Sequence, residues 1–346
     1  MTLIYFILIL GVIIFIHELG HFIFAKKAQI HVYEFALGMG PKIFGFRRKN
    51  DETKYTLRIF PIGGFCSIAG EDVEEDPNIP KERTLQSKTL FQRFLVMIAG
   101  VMFNFVFAIL ILFIMALIFG FISTKPIVGE VIKDYPAFSS GLKKGDLILS
   151  VNGKKVTTWD DALIQMTVTN GVKTTFEVKR DNVIKKIVIT PEKITDNGTT
   201  TYIYGIRALE TKEKGIIPAL KYSLIKFISL IKTMGVVLKS LFTGGISLSS
   251  LAGPVGIYSI VGDSAKAGFQ NVIYLVALLS INIGFMNLLP IPALDGGKIL
   301  FIIIEKIKGK PVNQRIENTF HLIGFMLLIL LIIVVTFNDI IRLFKW

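Results

Sequence analysis

The sequence predicts a polytopic α-helical membrane protein with four transmembrane helices and a water-soluble domain inserted between the second and the third. Two observations predict this fold class. Of the 346 residues 52% are hydrophobic, and they concentrate in four apolar runs long enough, or nearly so, to cross a bilayer, at about residues 2–25, 94–122, 270–294 and 321–337. Between the second run and the third, Asn-Gly turns and β-branched residues are typical of a soluble fold.

The charge of the chain favours a membrane setting over a nucleic-acid partner. The formal net charge is +13, but the basic residues form no arm or stripe. They cluster where apolar runs end, at 26–27, 47–49, 83–93 and 298–315. An excess of Lys and Arg beside transmembrane helices marks the cytoplasmic side of a membrane. We therefore expect the lipid bilayer as a partner, and no nucleic acid. The lone Cys66 excludes an internal disulfide.

The first apolar run carries three ionisable residues within the stretch IFIHELGHFIFAKK, residues 14–27. In a helix, His17 and His21 lie one turn apart on one face, with Glu18 beside them. This is the H-E-x-x-H pattern, in which two imidazoles bind Zn²⁺ and the glutamate is the general base of a metalloprotease. The alternative is three polar groups that pair with neighbouring helices. Ionisable residues inside a membrane are costly, however, and indicate function.

The first run is expected to remain in the protein as a transmembrane helix. It has no basic residue before its apolar stretch, no small-x-small cleavage site, and charged groups within its core, which do not fit a signal peptide.

A catalytic zinc site needs a third protein ligand, and the end of the third apolar run offers Asp295. It lies in the segment NLLPIPALDGG, residues 287–297. Pro290 and Pro292 are expected to end the helix, and irregular backbone at membrane depth occurs only where it lines protein or a wet cavity. Two other histidines are alternative ligands, but we interpret them as surface or interfacial residues: His31 and His321.

The basic clusters predict which side of the membrane each region occupies. Lys26 and Lys27 assign the end of the first helix to the cytoplasm, so the soluble region after the second helix is extracytoplasmic. The segment 216–242 is long enough to span, yet Lys226 and Lys232 would then lie near the membrane centre. Inserting each lysine there costs a free energy of about 2.5–3.5 kcal/mol. A basic stripe on an apolar helix favours an interfacial helix. The third run then ends on the cytoplasmic side, with His17 and His21.

Three separated motifs resemble the site-2 protease family, peptidase family M50. They are HELGH in the first run, LAGPVGI at 251–257 and MNLLPIPALDGG at 286–297. The closest arrangement is that of the RseP-type bacterial zinc metalloproteases. The resemblance implies an intramembrane zinc endopeptidase, with His17, His21 and Asp295 as zinc ligands and Glu18 as the catalytic base. It also implies substrate-binding residues in the third motif: Asn287, Pro290 and Pro292.

A region of β-structure follows the first helix. Residues 42–70 have two alternating stretches around Asn50–Asp51, followed by Pro61 and two glycines. They resemble the membrane-associated β-loop of the family, whose edge can pair with an unwound substrate by strand addition. The residues expected to bind substrate there are Gly63, Gly64 and Phe65. The alternative is a small cytoplasmic hairpin with no substrate role. The acidic run 71–76 is expected to be a solvated loop.

The inserted soluble segment resembles a single PDZ domain at 125–192. Asn152–Gly153 predicts a tight hairpin, and 159–167 is expected to be the short helix of the domain. PDZ domains bind peptides by β-augmentation, and here the domain would act as a size filter outside the cytoplasm. The other predicted divisions are the first two transmembrane helices with the β-loop at 1–124, a hairpin and interfacial segment at 193–268, and the last two transmembrane helices at 269–346.

The resemblance implies cleavage of single-pass membrane proteins near the cytoplasmic face, in regulated intramembrane proteolysis. Family substrates include anti-sigma factors and signal-peptide remnants. Two alternatives from other classes are a membrane zinc transporter and an inactive PDZ scaffold. Transport would need a second metal-binding relay that the sequence does not offer, and a scaffold would not keep all three ligands and the base.

Overall fold

The computed structural model describes residues 1–71, 76–169, 171–196, 199–244 and 251–344. The chain divides into two compact units. One comprises Met1–Ile111 with Ser247–Trp346, and the other comprises Leu112–Ile246.

The helices of the described residues are α1 (Thr2–Lys27), α2 (Leu90–Phe119), α3 (Pro136–Ser139), α4 (Trp159–Val168), α5 (Ile216–Phe242), α6 (Pro254–Lys266), α7 (Phe269–Leu288), α8 (Asp295–Lys308) and α9 (Gln314–Phe344). Four stretches of these helices are long and apolar enough to cross a membrane, namely Thr2–Lys27, Leu90–Phe119, Phe269–Leu288 and Arg315–Ile341. The predicted number of spans is confirmed. The third ends at Leu288, earlier than the predicted residue 294, because Leu289 turns extended before Pro290.

The strands are β1 (Val32–Arg47), β2 (Lys54–Ile68), β3 (Phe121–Ile122), β4 (Val128–Val131), β5 (Leu147–Val151), β6 (Lys154–Lys155), β7 (Thr174–Arg180), β8 (Val183–Ile189), β9 (Glu192–Asp196), β10 (Thr199–Ile203), β11 (Ile206–Ala208) and β12 (Lys212–Glu213). Two short 3₁₀ turns, Lys81–Arg83 and Leu85–Ser87, precede α2.

Helices of the first unit approach one another closely around α1. A Cβ atom on Gly20 would lie 2.5 Å from the backbone oxygen of Ala99 in α2. Small residues of this kind allow membrane helices to pack backbone to backbone. On another face of α1, buried apolar residues pack with α6 and α7, among them Ile13, Val261 and Leu275. The histidine-bearing turn of α1 is therefore enclosed by other helices.

Strands β1 and β2 form a curled sheet with four paired segments. Residues 32–37 pair antiparallel with 64–68 on one side. On the other side residues 34–37 pair with 54–57 in parallel register, and 54–58 pair in turn antiparallel with 42–47. The predicted β-structure at 42–70 is confirmed, but it begins earlier, at Val32. Within the described chain, segment 64–68 pairs on one side only and forms an edge of this sheet.

Ion pairs anchor this sheet to the end of α1. Lys26 donates to Asp51 at 2.9 Å and to Glu52 at 3.2 Å. Arg83 donates to Glu52 at 2.6 Å, and this hydrogen bond is the main cause that lowers the pKa of Glu52 to about 2. His31 lies 3.1 Å from the same carboxylate. These contacts fix the sheet relative to the helix that carries the histidines.

The second unit contains an antiparallel sheet in the order β6-β5-β7-β8. Asn152 and Gly153 have φ values of 50° and 74° between β5 and β6, which confirms the predicted tight hairpin. The core extends beyond the predicted domain end at residue 192. Tyr204 is buried against Phe176, with ring centroids 5.6 Å apart, and β11 pairs with β4. Strands β9 and β10 form the second predicted hairpin, whose turn residues 197–198 lie outside the described chain.

Helix α5 has the predicted bounds and docks on α4 within the second unit. Lys226 donates to Asp160 at 2.6 Å, and Lys232 donates to Asp161 at 2.9 Å. Asp161 also accepts from the Thr158 amide in a capping box that begins α4. The two lysines that argued against a spanning helix thus form ion pairs with α4.

Candidate metal centre and active site

Three predicted metal ligands from separate parts of the chain meet at one point of the first unit. His17 Nε2 lies 3.1 Å from Asp295 Oδ2, and His21 Nε2 lies 3.3 Å from the same oxygen. The two Nε2 atoms are 3.2 Å apart. This is the group of metal-binding side chains found among the described residues, and neither His31 nor His321 belongs to it.

The distances in this group fit a zinc ion. Zn–N and Zn–O bonds of about 2.0–2.1 Å in a tetrahedral site separate neighbouring ligand atoms by about 3.3 Å. The three observed separations, 3.1 to 3.3 Å, therefore match one face of such a tetrahedron. Asp295 Oδ2 is buried and has no hydrogen-bond partner. A buried carboxylate oxygen needs a cation or a donor, and a metal ion between the three atoms would supply it.

The backbone before Asp295 is built to deliver its carboxylate. Ala293 adopts a left-handed φ of 72°, and its amide donates to His321 Nδ1 of α9 at 2.9 Å. Asp295 is then the first residue of α8, where the helix dipole favours a negative charge. His321 was interpreted as a surface or interfacial histidine. His321 lies outside the metal-binding group; it is half-buried and, through the Ala293 amide, supports the ligand-bearing loop.

One face of α2 packs directly on the two imidazoles. A Cβ atom on Gly100 would lie 2.8 Å from His17 Cε1 and 2.9 Å from His17 Nε2, and closer still to His21 Nε2. The Val96 carbonyl accepts a hydrogen bond from His21 Nδ1 at 2.8 Å. Asn104, which is fully buried, approaches His17 Nδ1. The sequence pointed to none of these residues, although an asparagine in so apolar a helix was a possible signal.

The edge strand of the β-sheet lies beside Glu18. A Cβ atom on Gly64 would be 3.5 Å from Glu18 Cγ and 3.4 Å from Ile14 Cγ2. Gly63 has a φ of +102°, and the guanidinium of Arg58 lies 4.8 Å from the centre of the Phe65 ring. Of the three predicted substrate-binding residues of the β-loop, Gly64 is therefore close to the candidate base, and Gly63 and Phe65 are its neighbours in the chain.

The other predicted substrate-binding residues lie in the connection that leads from α7 to Asp295. Asn287 is half-buried in the last turn of α7, and Pro290 is exposed in the loop. Pro292 packs against Gly324 of α9. All three precede Asp295 closely in sequence, and the contacts of the described residues assign them no role.

Two ion pairs tie α8 to its surroundings. Lys298 pairs with Glu71, which follows the edge strand, and Arg93 of α2 donates to Glu305 at 2.7 Å. Glu71 was predicted to begin a solvated acidic loop, but its carboxylate is instead partly buried in this pair. Residues 72–75 of the predicted loop lie outside the described chain.

Comparison with known proteins gives consistent matches over nearly the whole chain. The profile of peptidase family M50 matches residues 5–331. The chain is 36% identical to "Regulator of sigma-W protease RasP" of Bacillus subtilis, over 99% of both proteins. It is 33% identical to "Zinc metalloprotease RasP" of Geobacillus kaustophilus, over 99% of this chain and 98% of the relative. A putative zinc metalloprotease of Clostridium acetobutylicum is 36% identical over 97% and 96% of the two chains.

Proposed function

Because the chain belongs to peptidase family M50 and is a multi-pass membrane zinc metalloprotease, we propose that it cuts single-pass transmembrane substrates near the cytoplasmic membrane face. The substrates we propose are anti-sigma factors or signal-peptide remnants, in regulated intramembrane proteolysis. The name of the Bacillus subtilis relative, a regulator of sigma-W, supports the first class. The observation that carries the proposal is the meeting of His17, His21 and Asp295 beside Glu18.

We assign zinc binding to His17, His21 and Asp295, and general-base catalysis to Glu18. A zinc ion held there supplies a Lewis acid that activates water and polarises the scissile carbonyl. Glu18 takes the proton from the attacking water and delivers it to the leaving amine. The burial of the ligand atoms excludes bulk water, which strengthens these electrostatic interactions.

The sheet edge at 64–68 is the proposed docking site for the scissile segment. A transmembrane substrate is helical, with its backbone hydrogen bonds satisfied internally. To present an extended peptide it must exchange those bonds for others, and an open strand edge offers them by strand addition. The position of Gly64 beside Glu18 supports this role for Gly63, Gly64 and Phe65. We propose that Asn287, Pro290 and Pro292, which lie at the connection from α7 to Asp295, also contact the substrate.

The second unit contains the proposed PDZ domain, predicted at residues 125–192, on the extracytoplasmic side. A cleft of about 500 Å³ lies between α4 and the segment 201–207, with Leu163, Met166 and Tyr204 in its lining. A cleft between a helix and a strand suits a peptide added by β-augmentation. We propose that the domain admits substrates whose extracytoplasmic part has been shortened. Helix α5 exposes a stripe of apolar residues that would lie on the membrane surface: Ile217, Leu220, Leu224 and Ile228.

Reconstitution into zinc-free vesicles tests the function. A panel of single-span substrates should be cut after zinc is added, and cleavage should stop when a chelator removes it. The same vesicles can be loaded with a zinc-sensitive dye. Zinc entry without any cleavage would overturn the protease assignment and favour a transporter.

Cysteine labelling tests the orientation. In a Cys66→Ser background, Lys154→Cys should react with an impermeant reagent in intact cells, whereas Lys310→Cys should react only after lysis. Both side chains are exposed, so accessibility within the fold does not limit the reaction. The reverse labelling would invert the topology.

A further inference from the structure

The second ring nitrogen of each zinc-site histidine faces α2. His21 Nδ1 lies 2.8 Å from the Val96 carbonyl oxygen. A carbonyl can only accept, so Nδ1 carries the proton and the lone pair of Nε2 is left for a metal ion. This bond fixes both the tautomer and the ring orientation of His21. Metal-ligating histidines generally need such a partner.

The same face of α2 presents a side-chain amide to His17. Val96, Gly100 and Asn104 are spaced four residues apart, so they lie along one stripe of the helix. Gly100 leaves room for the two imidazoles, and Asn104 Nδ2 lies 3.4 Å from His17 Nδ1. Asn104 is 0% exposed, and its Oδ1 atom has no hydrogen-bond partner.

The orientation of this amide decides which nitrogen of His17 is available. The nitrogen and oxygen of an asparagine amide exchange positions on a half-turn, and the hydrogen-bond network must assign them. If the NH₂ group faced Nδ1, the proton of a neutral His17 would sit on Nε2 and block it from metal. If Oδ1 faces Nδ1, the ring proton has an acceptor, and Nε2 is free toward Asp295 Oδ2, 3.1 Å away.

We infer that Asn104 is a positioning residue that accepts a hydrogen bond from His17 Nδ1 through Oδ1, as the Val96 carbonyl does for His21. Helix α2 thereby sets the tautomer of both histidines from one stripe. The inference rests on the proposed zinc site. Ser280 of α7 donates to the Asn104 backbone oxygen at 2.9 Å and ties this part of α2 in place without touching the imidazole.

Zinc affinity of the purified full-length chain in detergent tests the inference, measured by competition with a chelator. The variant N104L removes the acceptor while keeping a similar volume, and zinc should bind about 10- to 100-fold more weakly. The variant N104D keeps an acceptor oxygen but loses the donor. Its zinc affinity should stay within about threefold of the wild-type affinity. S280A is the matched control and should stay within the same range.

The outcomes separate this inference from the function on which it rests. If H17A binds zinc like the wild type, the proposed zinc site itself fails. If H17A loses zinc while N104L stays within threefold of the wild type, the site stands and the role of Asn104 is overturned. If N104L does not fold, N104D remains decisive. A tenfold or greater loss in N104D would mean that the amide acts as a donor, against the inference.

Discussion

Gly100 of α2 lies against the ring of His21 so closely that no side chain fits between the backbone and the imidazole. A Cβ atom there would also come within 2.8–2.9 Å of two ring atoms of His17. The Val96 hydrogen bond holds the His21 ring in place, so this ring cannot yield without changing the metal geometry. The geometry of the candidate zinc site therefore requires a glycine at position 100.

We predict that Gly100→Ala weakens zinc binding while the protein still inserts and folds. Overpacking of this kind costs about 1–3 kcal/mol, which corresponds to roughly 5- to 150-fold in affinity. Chelator competition in detergent measures the change. Gly235→Ala is the control, because that glycine of α5 has open space around its Cβ position. Wild-type zinc affinity in Gly100→Ala would show that the rings move freely at this contact.

The sequence predicted the candidate metal ligands better than the residues of α2 that pack against these ligands. H-E-x-x-H fixes two histidines on one helix face because four residues make about one turn. Asp295 followed from the need for a third ligand on the same side of the membrane. The stripe Val96, Gly100 and Asn104 could not be predicted in this way. It depends on which face of α2 meets α1, and hydropathy is nearly uniform around so apolar a helix.

The fold shows the same division. Apolar length alone predicts the four spans, but the start of the β-sheet at Val32 was missed because 32–41 lacks a clean alternation. The pairing of 32–37 with two partner segments is a long-range choice that no local pattern encodes. The role of His321 was missed for a similar reason, since its partner is the backbone amide of Ala293, distant in sequence.

We predict that Asp295→Ala abolishes stoichiometric zinc binding. The wild type should hold about one zinc ion per chain on three protein ligands, and removal of one ligand opens a second position to water. Elemental analysis after detergent purification measures the content. Glu305→Ala is the control on the same helix, because Glu305 pairs with Arg93 and not with the metal group. Full occupancy and wild-type affinity in Asp295→Ala would exclude Asp295 as a ligand.

Two separate single-proline variants at the sheet edge, Phe65→Pro and Cys66→Pro, test strand addition. Gly64→Pro is unsuitable, because a Cβ atom there would lie 2.8 Å from the Ala36 oxygen and distort the sheet. Adjacent residues of a strand direct their N–H groups to opposite edges, so one of Phe65 and Cys66 faces the open edge. Proline at that residue should retain zinc and folding. Substrate cleavage should slow by about 2- to 10-fold, as expected for a lost hydrogen bond of about 0.5–1.5 kcal/mol.

The control is the variant whose proline replaces the residue with its N–H directed into the sheet. Proline there removes a hydrogen bond to 32–37, so it should lower the thermal stability of the chain. If the stable variant cleaves at the wild-type rate, the edge does not bind substrate at this position.

The ion pair between Lys226 and Asp160 should stabilise the docking of α5 on α4. Both side chains are partly buried, and Asp160 also accepts from Ser229 at 2.9 Å. A double-mutant cycle of Lys226→Ala and Asp160→Ala should give a coupling energy of about 1–3 kcal/mol in thermal or denaturant unfolding. Lys239→Ala, at an exposed position of the same helix, should have little effect. Additive single effects would mean that the pair contributes nothing to docking.

Glu18→Gln should abolish hydrolysis while zinc and substrate still bind. Glutamine is nearly isosteric, so α1 and both histidines should remain in place. It cannot take a proton from the attacking water, so a general-base contribution of roughly 10²–10⁴-fold is lost. Glu18→Asp should also fail, because its carboxylate is withdrawn by one methylene from the reacting centre.

Zinc content and substrate capture distinguish loss of the base from loss of the site. Glu18→Gln should retain wild-type zinc and co-purify with uncut single-span substrate, whereas Asp295→Ala should lose zinc and cleavage together. Substrate held at the edge of the β-sheet would lie beside residue 18, since the Gly64 position is within 3.5 Å of the Glu18 side chain. Cleavage at the wild-type rate in Glu18→Gln would remove Glu18 from the mechanism.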